Sequence, residues 1–326
     1  MDFLLSDVHD DLAAGIDALL TKADSPAVAR SWAAGDRTAA YTVFAGLADM
    51  GICGLMIGDD HGGAGAGAVE MVVAMEQLGK HGVPGPLAES LAVAPAVLAA
   101  ADRPDELARI AQGHLVTIAA PPLSMLAADA DTVESSYLLT DETLYAATAP
   151  DPQRTVDPAR TVSQLHPGDT LATALDDSMA NRAGELGALA TAAQLLGLGD
   201  RMLSLASEYA LARKQFGRQI GSFQAIKHHL ADVAIALEMA RPLVHGAAVG
   251  VDGGSPDSED VSRDISAAKV AAADAAYLAA RRGIQILGAI GYTAEHDLSI
   301  YLTKCRALIG AWGTSATHRA RILERL

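Results

Sequence analysis

The sequence predicts a mainly α fold in three parts. These are an N-terminal helical domain over residues 1–112, a reduced middle β region over 113–175 and a C-terminal four-helix bundle over 176–326. Three observations carry this. Apolar residues recur at spacings of three and four towards both ends of the chain. Short β-prone runs, separated by Pro, Asp and Gly, cluster in the middle. Hydrophobic residues fill 50% of 326 positions, enough for a large core, while aromatics stay at 4% and Ala is abundant, which suits closely packed helices.

Taken in order, Val28 to Met56, Ala68 to Leu78 and Ala88 to Ala101 read as helical, with Pro95 expected to kink or divide the last. Between the first two lies Gly58-Asp59-Asp60-His61-Gly62-Gly63-Ala64-Gly65-Ala66-Gly67. No strand leads into it and no Walker lysine follows, so it reads as a flexible turn before a helix rather than a phosphate cradle. Leu115 to Ala119, Ser136 to Thr140, Thr143 to Thr148 and Thr161 to Leu165 suggest four or five strands that need helices to cover them. From Asp177 the pattern is helical. Leu186, Leu189, Ala193 and Leu196 share one face, and so do Phe223, Ile226, Leu230, Val233 and Leu237, with Ser222 as N-cap. Gly253-Gly254-Ser255-Pro256 breaks the chain before a third helix, from Asp257 to about Leu287. Glu295 to Leu308 and Thr317 to Leu326 complete a bundle of antiparallel helices.

Composition narrows the function classes. The net charge of −16 argues against a nucleic-acid partner. Residues 1–176 hold 8 Lys and Arg against 25 Asp and Glu, a balance of −17, whereas residues 177–326 hold 16 against 15, a balance of +1. A polyanionic cofactor is therefore easier to place in the second half. Two cysteines, Cys53 and Cys305, imply neither a disulfide framework nor a zinc site, and point to a cytoplasmic protein. The acidic N-terminus lacks the basic segment of a signal peptide, and no uninterrupted apolar run reaches membrane-spanning length, so no membrane association is expected. His228 and His229 are adjacent and His61, His81 and His296 isolated, so no metal spacing arises.

Two segments carry chemistry. In Arg213-Lys214-Gln215-Phe216-Gly217-Arg218-Gln219-Ile220-Gly221-Ser222-Phe223-Gln224, cations stand at a helix end and Gly217 and Gly221 permit a tight reversal. Arg is well matched to a diphosphate. The other segment is Gln285-Ile286-Leu287-Gly288-Ala289-Ile290-Gly291-Tyr292-Thr293. Together they resemble the signature of the acyl-CoA dehydrogenase family. The Gly58–Gly67 loop with Glu76-Gln77-Leu78-Gly79, and Asp157-Pro158-Ala159-Arg160-Thr161-Val162, add weaker likenesses.

The resemblance implies an acyl-CoA dehydrogenase-like fold and an FAD shared with a neighbouring subunit. Arg213 would bind the diphosphate, Phe216 would pack nearby and Gln224 would hydrogen-bond the cofactor. Gln285 and the backbone of Gly288 and Ala289 would reach the same FAD, although a glycine is usual where Ala289 stands.

The chain also departs from the family pattern. The Thr-Glu-Pro and Gly-Ser-Asp segments that hold the flavin ring are missing from residues 113–175. The family's glutamate base, just before a Gly-Thr pair, is replaced by Trp312 before Gly313-Thr314, and an indole accepts no such proton. A minority of the family carries the base on an earlier helix, at a place that falls on Gly187. Glu185 is two residues away, about 200° around the helix. No catalytic residue is therefore expected in this chain.

The resemblance points to the shortened, non-catalytic chain of an α2β2 heterotetrameric acyl-CoA dehydrogenase, of the kind some actinobacteria use on steroid side-chain CoA thioesters. A catalytic acyl-CoA dehydrogenase subunit, an acyl-CoA substrate and an electron-transferring flavoprotein are the implied partners. A vacated pocket in this subunit would leave room for a bulky polycyclic acyl group. The alternatives are a self-sufficient dehydrogenase or oxidase with a base such as Glu185, and a non-enzymatic helical scaffold.

Overall fold

The computed structural model describes residues 5–254 and 258–325. Six helices come first: α1 (Asp7–Lys22), α2 (Ser25–Ala33), α3 (Thr38–Asp49), α4 (Ala68–Lys80), α5 (Ala94–Ala100) and α6 (Pro104–Ala111). The stretch from Val28 to Met56 is not one helix. Gly35 takes a φ of 93°, and the Asp36 carboxylate accepts from the Thr38 N–H at 3.0 Å, so α2 ends and α3 begins anew. Pro95 does not divide its segment: the backbone stays helical from Glu89 to Ala100, and the ladder is instead widened by a π-helical turn over Glu89–Val93 just before the proline.

The glycine-rich loop leads into α4 as expected, and its helix end is already occupied. The carboxylate of Asp252, from the far end of the chain, accepts from Ala68 N at 2.7 Å and Val69 N at 3.1 Å. An internal carboxylate thus takes the N–H groups a phosphate would need.

Seven strands follow, two more than the sequence suggested: β1 (Val116–Ala119), β2 (Ala127–Ala128), β3 (Ser135–Thr140), β4 (Thr143–Thr148), β5 (Gln153–Arg154), β6 (Thr161–Ser163) and β7 (His166–Ala172). They form a four-stranded sheet, β1-β3-β4-β7, with β1 parallel to β3, and a small sheet, β2-β6-β5. Strand β7 escapes sequence reading because His166-Pro167-Gly168-Asp169 looks like a turn. It is an edge strand with its first five residues exposed, where proline is tolerated.

The C-terminal part holds α7 (Met179–Ala212), a hairpin of β8 (Lys214–Gln215) and β9 (Arg218–Gln219), α8 (Gln224–Val249), α9 (Ser258–Leu287), α10 (Leu298–Leu308) and α11 (Ser315–Leu323). Residues Ser255 to Asp257, where the sequence placed the break and the start of the third helix, lie outside the described residues. Helices α7, α8 and α9 pack as neighbours, and the shorter α10 and α11 complete the bundle against α7 and α9. Ser222 does not cap α8. Phe223 holds the N-cap position, and the Ser222 hydroxyl donates to the Gln219 carbonyl at 2.7 Å. By length and hydropathy alone the span from Gln224 to Gly253 would serve as a membrane helix. Its Val233, Leu237, Ala240, Val244, Ala247 and Ala248 are instead core residues packed in the bundle.

Helix α7 is the axis of the molecule, touching α4, α8, α9 and α10. Its crossing with α4 is backbone on backbone. A methyl group on Gly197 would collide with the Glu76 carbonyl, and one on Gly79 with that of Gln194.

Candidate functional site

The two positions that the family resemblance marks for a catalytic base meet in space. Trp312 lies in the turn between α10 and α11, and its indole packs on Gly187 of α7 so closely that a Cβ on Gly187 would enter the ring. Trp312 is 1% exposed. Its Nε1–H donates to Glu89 Oε1 at 3.1 Å, on the π-helical turn before α5. Leu123, from the segment after β1, covers the neighbouring glycines, with side-chain atoms 2.6 Å from a Cβ built on Gly184 and 3.2 Å from one on Gly313. The space expected to be vacated is filled by Trp312 and Leu123.

The turn that presents Trp312 is pinned. Trp312 itself takes a φ of 55°, a strained conformation for a bulky residue, and Gly313 one of 100°. His318 Nε2 donates to the Trp312 carbonyl at 2.9 Å, and its Nδ1 lies 3.2 Å from the Ser266 hydroxyl. Burial pushes the His318 pKa down to about 4, so the ring is neutral, with one nitrogen donating and the other accepting. Lys269 Nζ donates to the carbonyls of Leu308 and Ile309 at 3.1 Å each, and burial pulls its pKa down to about 7.

Around Glu89 lies a set of buried charges the sequence reading missed. Arg160 approaches Glu89 at 4.0 Å, and Lys304 pairs with Asp157 at 3.3 Å. Asp129 Oδ1 accepts from the Thr161 N–H at 2.7 Å, and burial raises the Asp129 carboxyl to about 6. One signal was available for Glu89: it is the lone charge in the apolar run from Leu87 to Leu98.

Glu185 faces elsewhere, as its helical offset implied. It accepts from Arg321 and Asn181 at 2.8 Å each and from the Ser262 hydroxyl. This carboxylate ties α7 to α9 and α11. Among the described residues no three His, Cys, Asp or Glu side chains are grouped to hold a metal ion. Cys53 and Cys305 are free and buried, and burial pushes each thiol up to about 12.

The residues assigned to FAD gather at the other end of the bundle. The end of α7, the start of α8 and the end of α9 lie together because α8 runs antiparallel to its neighbours. Arg213 is the C-cap of α7, and its carbonyl accepts from Ile220 N at 2.9 Å to close the hairpin. Phe216 and Gly217, with φ of 52° and 76°, form the two-residue tip that a hairpin twist favours. Phe216 is 91% exposed, and the Arg218 guanidinium lies 4.1 Å from the centre of the Phe223 ring. Gln224 opens α8, Gln285 lies in the last turn of α9, and Gly288 and Ala289 begin the turn that follows; all are exposed. The rings of Tyr209 and His296 meet edge to face at 6.5 Å, tying α7 to the segment after that turn.

The two sites are far apart. Gly187 and Arg213 stand 26 positions apart along α7, about 39 Å at the α-helical rise.

Comparison with known proteins agrees with this architecture. Residues 6–103 match the acyl-CoA dehydrogenase N-terminal domain and residues 179–326 the C-terminal domain. The acyl-CoA dehydrogenase IpdE2 of Mycobacterium tuberculosis (strain H37Rv) is 33% identical over 296 residues, 89% of this chain and 88% of that protein. Among solved structures, the ChsE4-ChsE5 complex from Mycobacterium tuberculosis superposes with a TM-score of 0.86 at 23% identity, covering 99% of this chain and 98% of that one. The Tcur3481-Tcur3483 steroid acyl-CoA dehydrogenase variant gives 0.85 at 21%, covering 98% and 97%. Both structures share the fold. With matched N- and C-terminal domains and a relative similar along nearly its whole length, the chain belongs to the acyl-CoA dehydrogenase family.

Proposed function

We propose that this chain is the non-catalytic subunit of a heteromeric FAD-dependent acyl-CoA dehydrogenase. The observation that carries the reading is the buried indole of Trp312 lying on Gly187 at the place of the base. Proton abstraction needs a carboxylate within hydrogen-bond reach of the thioester α-carbon. Here Glu185 is committed to Arg321, and Glu89 accepts the indole N–H. The base, the flavin-ring pocket and most of the acyl pocket are assigned to a partner subunit.

The chain's residues fit one part of FAD and not another. Arg213, Lys214 and Arg218 are exposed cations around one hairpin, a donor set suited to a diphosphate. The flavin ring has no equivalent seat, because the Thr-Glu-Pro and Gly-Ser-Asp segments that would hold it are missing from residues 113–175. In the assembly, Arg213 would bind the diphosphate of the partner's cofactor, Phe216 would pack beside it and Gln224 would hydrogen-bond it. Gln285 and the backbone at Gly288 and Ala289 would reach the same cofactor. Bound FAD supplies the acceptor for the hydride leaving the substrate β-carbon, and the product is a trans-2-enoyl-CoA.

A heterotetramer with a catalytic acyl-CoA dehydrogenase, a steroid side-chain CoA thioester as substrate, an electron-transferring flavoprotein as acceptor and a cytoplasmic site complete the proposal. The likeness to ChsE4-ChsE5 and to a steroid acyl-CoA dehydrogenase supports the pairing and the substrate class.

The test is co-expression with a catalytic acyl-CoA dehydrogenase subunit, with FAD content and mass measured for each preparation. The expected result is a yellow heterotetramer with one FAD per pair of unlike chains, and a colourless chain when expressed alone. Arg213→Ala should strip FAD from the complex without separating the chains. A yellow, active homo-oligomer with one FAD per chain overturns the proposal. Full FAD retention by the Arg213→Ala complex points to the scaffold alternative.

A further inference from the structure

We propose that Trp312 is a resident occupant of the acyl-thioester pocket of this chain, held there by Glu89 as a positioning residue. The idea rests on the helper-subunit reading and deepens it, because it makes the subunit's own site closed rather than empty. Two independent base positions converge on one spot, and a base must sit beside the substrate α-carbon. That spot therefore marks where an acyl thioester would lie. It contains an indole with 1% exposure, packed on a glycine.

Three features show that the occupant is held rather than merely present. The Nε1–H has a buried acceptor in Glu89, itself 3% exposed. The backbone at Trp312 stands at a φ of 55°, and its carbonyl accepts from His318 Nε2. Gly187 and Gly184 are bare where any larger residue would expel the ring or Leu123. A void of this size, bounded by bare glycine backbone and one buried acceptor, would bind a planar molecule that carries a single donor, as emptied protein cores bind molecules of matching shape. The ligand class for the unplugged site is thus a flat, indole-sized apolar compound with one hydrogen-bond donor directed at Glu89.

The test uses the complex with the catalytic subunit and indole itself as the probe. In Trp312→Gly the backbone keeps its left-handed conformation without strain and the ring is deleted. Calorimetry should find one indole bound per variant chain, at least about tenfold tighter than to the wild-type complex. Equal binding by both, or none by an assembled variant, overturns the proposal. A second measurement covers a variant that fails to assemble. With 15N-tryptophan in this chain, Trp32 and Trp312 give two indole N–H resonances. Glu89→Leu should shift one and speed its solvent exchange, while Glu89→Gln, which keeps an acceptor oxygen, should restore it. Two resonances unmoved by Glu89→Leu overturn the proposal. FAD content of the same complexes reads the helper-subunit proposal separately: a complex with one FAD per chain that nonetheless binds indole only as Trp312→Gly keeps the plug and rejects the helper role.

Discussion

The ring of Trp312 rests on the bare backbone of Gly187, with no room for one additional carbon between them. This contact joins the turn after α10 to the first third of α7 and makes the two positions energetically one unit. Glycine inside a helix costs about 1 kcal/mol relative to alanine, so Gly187→Ala gains that much in helix propensity. Overpacking against the ring costs about 1–3 kcal/mol, which exceeds the gain at most values in that range. Gly187→Ala should therefore destabilise the wild type and stabilise a Trp312→Gly background. Denaturant unfolding of the four proteins in the cycle checks this, and additive effects would show that the contact carries no energy.

His318 should make stability depend on pH on the acid side of neutrality. Its folded pKa of about 4 lies below the ordinary 6.5. Between these values the unfolded chain binds a proton that the folded chain does not, so stability falls as pH drops from about 6.5 to 4. The loss amounts to about 3 kcal/mol at most. His318→Gln can still donate to the Trp312 carbonyl and has no titrating ring, so its unfolding free energy should lose this component of the pH dependence.

Asp129 runs the other way. Its folded pKa of about 6 exceeds the ordinary 3.8, so the folded chain holds a proton that the unfolded chain has released. Stability then falls as pH rises from about 4 to 6. Asp129→Asn keeps an acceptor for the Thr161 N–H and tolerates the φ of 52° found there. The variant should match the wild type near pH 3.5 and exceed it in stability at pH 7, as read from unfolding curves at both.

Asp252 caps α4 from across the chain, and its removal leaves two helix N–H groups without their partner. Asp252→Ala should cost about 1 kcal/mol of stability. Amide exchange at Ala68 and Val69 should accelerate more than exchange in the centre of α7; uniform acceleration would mean that the cap acts on the whole fold.

Glu185 provides a check on catalysis. Its carboxylate is held by Arg321, Asn181 and Ser262, far around the helix from Gly187. Glu185→Gln should lower stability while leaving turnover of the assembled complex within about twofold, whereas removal of a general base costs about a hundredfold or more. A loss of that size would restore Glu185 as a base.

Much of the architecture was legible because local rules and the final fold agree. The helices α4, α7 and α8 stand where their periodicity placed them, although α7 is buried on every side from Leu186 to Gly199 and α8 buries only Val233 and Leu237 of its predicted face. The Phe216-Gly217 reversal was marked by its glycine. Other elements were not legible. Ser222 has a capping side chain but spends it on the Gln219 carbonyl, leaving Phe223 at the helix start. Strand β7 contradicts its own composition because an edge position forgives proline. Glu89 went unremarked because its partner, the indole N–H of Trp312, stands 223 positions away in sequence.

The sequence alone determined the helical periodicity, the confinement of strands to the middle, and the residue types at the two signature segments, since each depends on neighbours along the chain. Tertiary structure decided what those residues face. It placed Trp312 on Gly187 across 125 positions of sequence, routed Asp252 to the start of α4, and set Arg213 about 39 Å from the filled pocket along one helix. Contacts of this kind arise from the packing of whole elements, and no local pattern encodes them.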